Sequence, residues 1–180
     1  MKVFVRSPFS TIFFICSLIC MSLPFLSTFS SFLTNIFLQW PFYRMVESFI
    51  IPYQAKILAS FLSLFSIKAS ATSQGVYLQG AFLELQWNCL GWQSAILLLA
   101  TFVSGFRGKF TWVSRIEVVI IGFLGTYLMN IFRLASIGLV ARFGGPYAAF
   151  FFHEYLTLAL IILWFLFFWW FSYSFVLEER

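Results

Sequence analysis

The chain has 180 residues, of which 62% are hydrophobic and only 9% are charged. A soluble domain of this length would be about a quarter charged, so the composition excludes an ordinary soluble fold and predicts a single membrane-embedded domain over residues 1–180. The net charge of +5 comes from dispersed basic residues, several of which flank apolar runs, a pattern that orients membrane helices and does not indicate nucleic-acid binding.

The N-terminal part of the chain contains two apolar runs. Residues 9–34 are too long for the apolar core of a signal peptide and predict a retained transmembrane helix, in which Cys16 and Cys20 are small core residues. Residues 48–67 are shorter and carry several polar residues, so they form either a short span or a helix lying in the membrane interface. The basic residues near the N-terminus favour a cytoplasmic start, which requires that the second run does not span.

The main polar stretch of the chain covers residues 69–88 and is predicted to be an outer loop. Within it, two short β-prone runs flank Gly80. This pattern favours a small hairpin or an extended loop directly before Cys89.

Three further apolar runs, 89–106, 116–140 and 150–172, meet or approach the roughly 20 residues that a spanning helix needs. The loop at 107–115 carries three basic residues and no acidic residue, so it is predicted to be cytoplasmic. The turn Gly144-Gly145-Pro146 is predicted to connect the last two spans on the outer side. The expected fold is an all-α polytopic membrane protein, a helical bundle of four or five transmembrane spans with a short outer loop or hairpin before the cysteine.

This topology places three reactive side chains on the outer side. Cys89 begins one span, Arg133 lies in the later part of the next, and His153, the single histidine of the chain, begins the last. A cysteine attacks as its thiolate, which a nearby cation or a helix N-terminus stabilises. An imidazole can act as acid or base, and a guanidinium can bind an oxyanion or a carboxylate. The three residues therefore predict a cysteine-nucleophile site.

Three other polar residues are candidates for supporting roles. Asn130 lies one helical turn before Arg133 and is expected on the same helix face. Asn88 directly precedes Cys89, and Glu154 either orients the histidine or is a solvated interfacial carboxylate. With one histidine and no aspartate, the chain has too few ligands for a metal-dependent protease, and no cofactor is predicted.

Residues from about 75 to 172 resemble the exosortase/archaeosortase family of membrane transpeptidases. The resemblance rests on Asn88-Cys89-Leu90-Gly91 at one span start, Asn130-Ile131-Phe132-Arg133 in the next span, and Phe152-His153-Glu154 at the last. It implies that Cys89 is the nucleophile, Arg133 the electrostatic stabiliser and His153 the acid/base, on the outer face of the plasma membrane. It also implies that the partners are exported proteins with a C-terminal motif, a transmembrane helix and a basic tail. Such proteins would be cleaved through a thioester and transferred to an acceptor.

A non-enzymatic membrane scaffold or accessory subunit is the alternative hypothesis, in which the same polar residues stabilise helix packing. A rhomboid-like serine protease is disfavoured because the chain has no Gly-x-Ser-x-Gly sequence. Whether a thioester would pass to an amine or to water is left open by the sequence.

Overall fold

The computed structural model describes residues 45–78, 80–153 and 157–178, which are mostly helical. A π-helical turn (Val46–Ile50) leads into α1 (Ile51–Ser63), β1 (Ala69–Ala71), β2 (Gly75–Leu78), β3 (Ala81–Glu84), a 3₁₀ helix (Trp87–Leu90), α2 (Trp92–Gly105), α3 (Trp112–Phe151) and α4 (Thr157–Phe171), which a second π-helical turn (Ser172–Val176) extends. The predicted span at 9–34, with Cys16 and Cys20, lies outside the described residues.

The first half of the described chain forms a small α/β unit, the cap, which consists of α1 and a three-stranded antiparallel sheet in the order β1-β2-β3. The hairpin expected around Gly80 is present as β2 and β3, with Val76 opposite Leu83. β1 was not predicted, and the sheet corrects the expectation of an all-α fold. The cap packs on the later half of α3 through one apolar core, which contains Ile51, Ala55, Leu58, Leu62, Val76, Leu78, Leu85, Ile131, Leu134 and Ala135.

The run at 48–67 forms α1 with its adjoining π-helical turn. Its buried residues recur every three or four positions, which makes one face of a helix: Ile51, Gln54, Ala55, Leu58 and Leu62. Pro52 lies in the first turn, where a helix loses nothing by lacking an N–H. Together with the 5 residues of its π-helical turn, the 13 residues of α1 form a helical stretch that rises about 27 Å at most. This stretch is not among the segments of the described chain that are long and apolar enough to cross a membrane.

The second half of the described chain forms a helical unit, the bundle, in which α2, α3 and α4 pack together. Its core is rich in aromatic side chains and contains Leu97, Leu98, Phe102, Val118, Phe165, Phe168 and Trp169. A Cβ at Gly105 would overlap the Trp169 ring, so glycine lets α2 approach α4 closely. The backbone N–H of Thr111 donates to the carbonyl of Glu178 at 3.1 Å. The α2–α3 connection and the end of the chain therefore share one end of the bundle.

Two segments in the described part of the chain are long and apolar enough to cross a membrane, α3 and Ala159–Val176, and they suggest membrane association. α2 is apolar, but its 14 residues rise only about 21 Å. The expected four or five spans are thus not met among the described residues. Hydropathy predicted a span that begins at residue 89. In the structure, a 3₁₀ helix and the left-handed Gly91 come first, so α2 begins at Trp92.

α3 is longer than the span predicted at 116–140. The predicted turn at Gly144-Gly145-Pro146 interrupts the helix at Gly145 (φ 79°, ψ 177°), but helical structure resumes as far as Phe151. Residues 154–156 are not described, and beyond them α4 covers Thr157–Phe171, so the start of the last span at residue 150 stays a prediction. Along its first half, α3 exposes large apolar side chains at helical spacing, among them Val113, Ile116, Ile120, Phe123, Leu124 and Leu128.

Candidate functional site

Cys89 lies in the 3₁₀ helix at the junction between the cap and the bundle. Its side chain is partly buried and packs against the core of the cap. Its backbone carbonyl accepts two hydrogen bonds, one from Gln54 Nε2 at 3.2 Å and one from Asn130 Nδ2 at 2.9 Å. Gln54 belongs to α1 and Asn130 to α3, so the main chain at Cys89 is held from the cap and from the bundle at once.

Gly91 redirects the chain from the 3₁₀ helix into α2. Its φ of 79° lies in the left-handed region, which only glycine adopts without strain. A Cβ at this position would lie 2.8 Å from Asn130 Cγ. Glycine is therefore required here both by the backbone conformation and by the close approach of Asn130.

Arg133 lies one helical turn after Asn130 on the buried face of α3, with only 7% of its surface exposed. Arg133 and Asn130 line the same cleft, and Asn130 also donates to the Cys89 carbonyl. Among the described residues, neither Arg133 Nε nor Asn130 Oδ1 has a hydrogen-bond partner, although both atoms are buried. The structure thus brings Cys89, Asn130 and Arg133 together around one point.

His153 is the last described residue of the π-helical segment that follows α3, and its side chain is exposed. Four residue steps separate it from Thr157, so chain length places it within about 14 Å of the beginning of α4. Leu160 and Ile161, near that beginning, line the same cleft as Arg133. His153 is therefore at the same end of the bundle as Arg133, but it is not among the residues that line the cleft.

The two remaining candidates are described incompletely. The backbone of Asn88 lies in the 3₁₀ helix beside Cys89. The side chain of Asn88 and the whole of Glu154 lie outside the described part of the structure.

A small cleft separates the three helices of the bundle beside Arg133. It is lined by Ser94, Thr126, Met129, Asn130, Arg133, Leu160, Ile161 and Trp164 and has a volume of about 10 Å³. The indole Nε1 of Trp164 donates to Thr126 Oγ1 at 3.0 Å, which ties α4 to α3 at this level. Asn130 connects the cleft to Cys89, because it lines the cleft and donates to the Cys89 carbonyl.

Gln54 is the residue at this site that the sequence did not reveal. Its side chain is only 3% exposed on a helix face that is otherwise apolar, and it lies 35 residues before the carbonyl that it binds. A buried amide nearly always has a hydrogen-bond partner. The sequence did contain one signal: Gln54 is spaced three or four residues from Ile51 and Leu58, which places it on the buried face of α1.

The chain matches no protein-family model, no curated protein and no solved structure. The geometry around Cys89 is therefore the basis for assigning a function.

Proposed function

We propose that this protein is a polytopic membrane cysteine transpeptidase or protease of the exosortase/archaeosortase type. The observation that carries the proposal is the position of partly buried Cys89, whose carbonyl accepts a hydrogen bond from Asn130, one helical turn from the buried guanidinium of Arg133. A buried cation is costly unless an opposite charge or hydrogen bonds compensate for it. The thiolate form of Cys89 would supply that charge, and it is also the form that attacks a carbonyl.

The length of α3 supports a site at the surface of a membrane. Arg133 is 21 residues beyond Trp112, the first residue of α3, so it lies about 32 Å along the helix, close to the roughly 30 Å of a bilayer core. If the basic loop at 107–115 is cytoplasmic, Arg133 and Cys89 lie at the opposite, extracytoplasmic boundary, with the cap outside. The exposed apolar side chains of α3 would then contact lipid.

The chemistry divides into two steps. The thiolate of Cys89 attacks the scissile carbonyl, an S–C bond forms, and Arg133 stabilises the oxyanion. The C–N bond then breaks, protonated His153 gives its proton to the leaving amine, and a thioester remains. An acceptor amine or water attacks the thioester and gives a proton to His153, the S–C bond breaks, and Cys89 returns as the thiolate. This sequence requires His153 to approach the cleft when the substrate is bound.

The proposed substrates are exported proteins that end in a short motif, a transmembrane helix and a basic tail. Such a tail helix would lie in the bilayer beside the bundle, and its basic residues would remain on the cytoplasmic side. This arrangement presents the motif at the level of Cys89. The acceptor is a nucleophile on the same side of the membrane.

The test is the substitution Cys89→Ala, compared with Cys20→Ala as a matched control. We expect proteins with an uncleaved C-terminal tail to accumulate in membranes that contain the Cys89→Ala variant, at unchanged abundance of the variant itself. Quantitative mass spectrometry of C-terminal peptides measures both quantities. Normal processing by the Cys89→Ala variant would rule out Cys89 as the nucleophile.

A non-enzymatic scaffold is the second candidate. It is favoured by the two hydrogen bonds to the Cys89 carbonyl, because they join the cap to the bundle and would be useful in a purely structural protein. Replacement of Arg133 distinguishes the two functions. A scaffold loses abundance when this residue is replaced, whereas an enzyme loses activity.

A further inference from the structure

β3 (Ala81–Glu84) is an edge strand, because the sheet of the cap has the order β1-β2-β3. The backbone N–H of Leu85 donates to the carbonyl of Gln74 at 2.9 Å, so these two residues form a hydrogen-bonded pair. Such pairs alternate with non-hydrogen-bonded pairs along an antiparallel ladder. Phe82 and Glu84 therefore point their N–H and C=O groups away from β2.

These outward main-chain groups of Phe82 and Glu84, two donors and two acceptors, form the β3 edge. Both side chains are exposed, and no other strand in the described part of the chain pairs on this side. Donors and acceptors that alternate along a strand match another extended backbone, which is how exposed sheet edges bind peptides. The β3 edge is short and carries the charge of Glu84, two features that limit edge-to-edge pairing between whole proteins. Its chemistry therefore fits one extended peptide segment.

The β3 edge leads directly toward Cys89. A Cβ at Gly138 would lie 3.7 Å from Leu83 Cδ2, so β3 packs beside Gly138 of α3. The Cys89 carbonyl instead accepts a hydrogen bond from Asn130, which lies eight residues, or about 12 Å, nearer the start of α3 than Gly138. In the proposed topology, the chain from β3 to Cys89 therefore approaches the membrane surface from outside.

We propose that the β3 edge binds the extended segment of the substrate that precedes the scissile bond, as a fourth, parallel strand of the sheet. The proposal rests on the proposed function for the identity of the peptide. An exported substrate runs from its outer part toward its tail helix, which is also the direction of β3 toward Cys89, so the two strands are parallel. At about 3.3 Å per residue, the distance of about 12 Å from β3 to Cys89 takes about four residues. The four residues paired with β3 then lie within about eight residues before the scissile bond.

Photo-crosslinking in intact cells tests the β3 edge. The photoreactive residue p-benzoylphenylalanine replaces Phe82 in the Cys89→Ala variant, in which tail-bearing proteins stay uncleaved. We expect adducts with these proteins, mapped by mass spectrometry to the segment of about eight residues before the bond that the unaltered protein cleaves. The absence of adducts, adducts with a second copy of this chain instead, or adducts confined to other segments of the tail-bearing proteins would overturn the proposal.

Proline at position 84 separates main-chain pairing from side-chain contact. Glu84→Pro removes the outward N–H and keeps the hydrogen bonds to β2, whereas Glu84→Ala removes only the carboxylate. We expect the crosslink yield of Glu84→Pro to be at least about five-fold below that of Glu84→Ala, the effect of one net hydrogen bond. Equal yields of the two variants would contradict pairing at the β3 edge.

Ala71→Pro is the matched control on the opposite edge of the sheet. The N–H of Thr72 donates to the Gly75 carbonyl at 2.8 Å, so Ala71, which is opposite Val76, points its own N–H away from β2. This variant should keep the crosslink yield. A loss as large as that in Glu84→Pro would show that proline disturbs the sheet as a whole, and it would overturn the assignment of the β3 edge.

A second pair of variants covers the case in which Glu84→Pro does not reach the membrane. Phe82→Pro and Phe82→Ala are then compared for processing in the protein that retains Cys89, and the same difference of at least about five-fold is expected. The binding mode and the proposed function fail in different ways. Normal processing by Cys89→Ala overturns the proposed function, whereas equal yields of Glu84→Pro and Glu84→Ala overturn only the binding mode.

Discussion

The Cys89 carbonyl accepts one hydrogen bond from the cap and one from the bundle, and the two bonds can be removed separately. Gln54→Met keeps the length and nearly the volume of the side chain but removes the 3.2 Å bond. Asn130→Leu removes the 2.9 Å bond from the other side. Either single variant leaves the carbonyl with one partner. The double variant leaves it with none.

The expected magnitudes follow from this difference. One buried hydrogen bond contributes about 1 kcal/mol net, so each single variant should lower the free energy of unfolding by about that amount. In the double variant the part-buried carbonyl also has neither partner, which costs about 1 kcal/mol or more in addition. The double-mutant cycle should therefore show a coupling free energy of at least about 1 kcal/mol, with the double variant less stable than the sum of the singles.

The assay is denaturant unfolding of the purified protein in detergent micelles, followed by far-ultraviolet circular dichroism. Lys56→Met is the matched control, because Lys56 is exposed on the same helix as Gln54 and should change the free energy of unfolding little. Additive effects of Gln54→Met and Asn130→Leu on the free energy of unfolding would show that the two hydrogen bonds to the Cys89 carbonyl act independently, which would refute the reasoning. So would a Gln54→Met variant that is as stable as the Lys56→Met control.

Two further predictions concern residues next to Cys89. Gly91→Ala should destabilise the protein by about 1–3 kcal/mol, because it combines left-handed strain with a clash against Asn130. Gly80→Ala shares the positive φ but meets no neighbour within 4 Å, so equal thermal shifts of the two variants would disprove the clash. Arg133→Met should keep normal abundance, since it removes a costly buried charge, while processing falls by about 100-fold or more. A parallel loss of abundance and processing, measured by immunoblot and by C-terminal peptide analysis, would favour the scaffold.

Local signals in the sequence predicted several of these elements correctly. The β-prone runs around Gly80 indicated the β2–β3 hairpin, and the spacing of Asn130 and Arg133 indicated one shared face of α3. Both signals act between residues close in the chain, where backbone geometry determines which side chains are neighbours. The catalytic roles of Cys89, Arg133 and His153 stay predictions.

Features that depend on distant contacts could not be read from the sequence. β1 consists of Ala69, Ser70 and Ala71, which have little strand preference of their own, and it forms because it pairs with β2. The role of Gln54 arises only when α1 packs against the 3₁₀ helix. Hydropathy likewise cannot distinguish the short α2 from a full span. The length of α2 depends on the 3₁₀ helix and Gly91 that precede it, and apolar composition does not show where these end.

The most direct test of the central claim is detection of the thioester on Cys89. The protein is isolated rapidly under denaturing conditions from cells that export tail-bearing proteins, and it is analysed by mass spectrometry before and after neutral hydroxylamine. We predict a polypeptide attached to Cys89 that hydroxylamine releases and that the Cys89→Ala variant lacks. An unmodified Cys89 in cells that process these proteins normally would contradict the account.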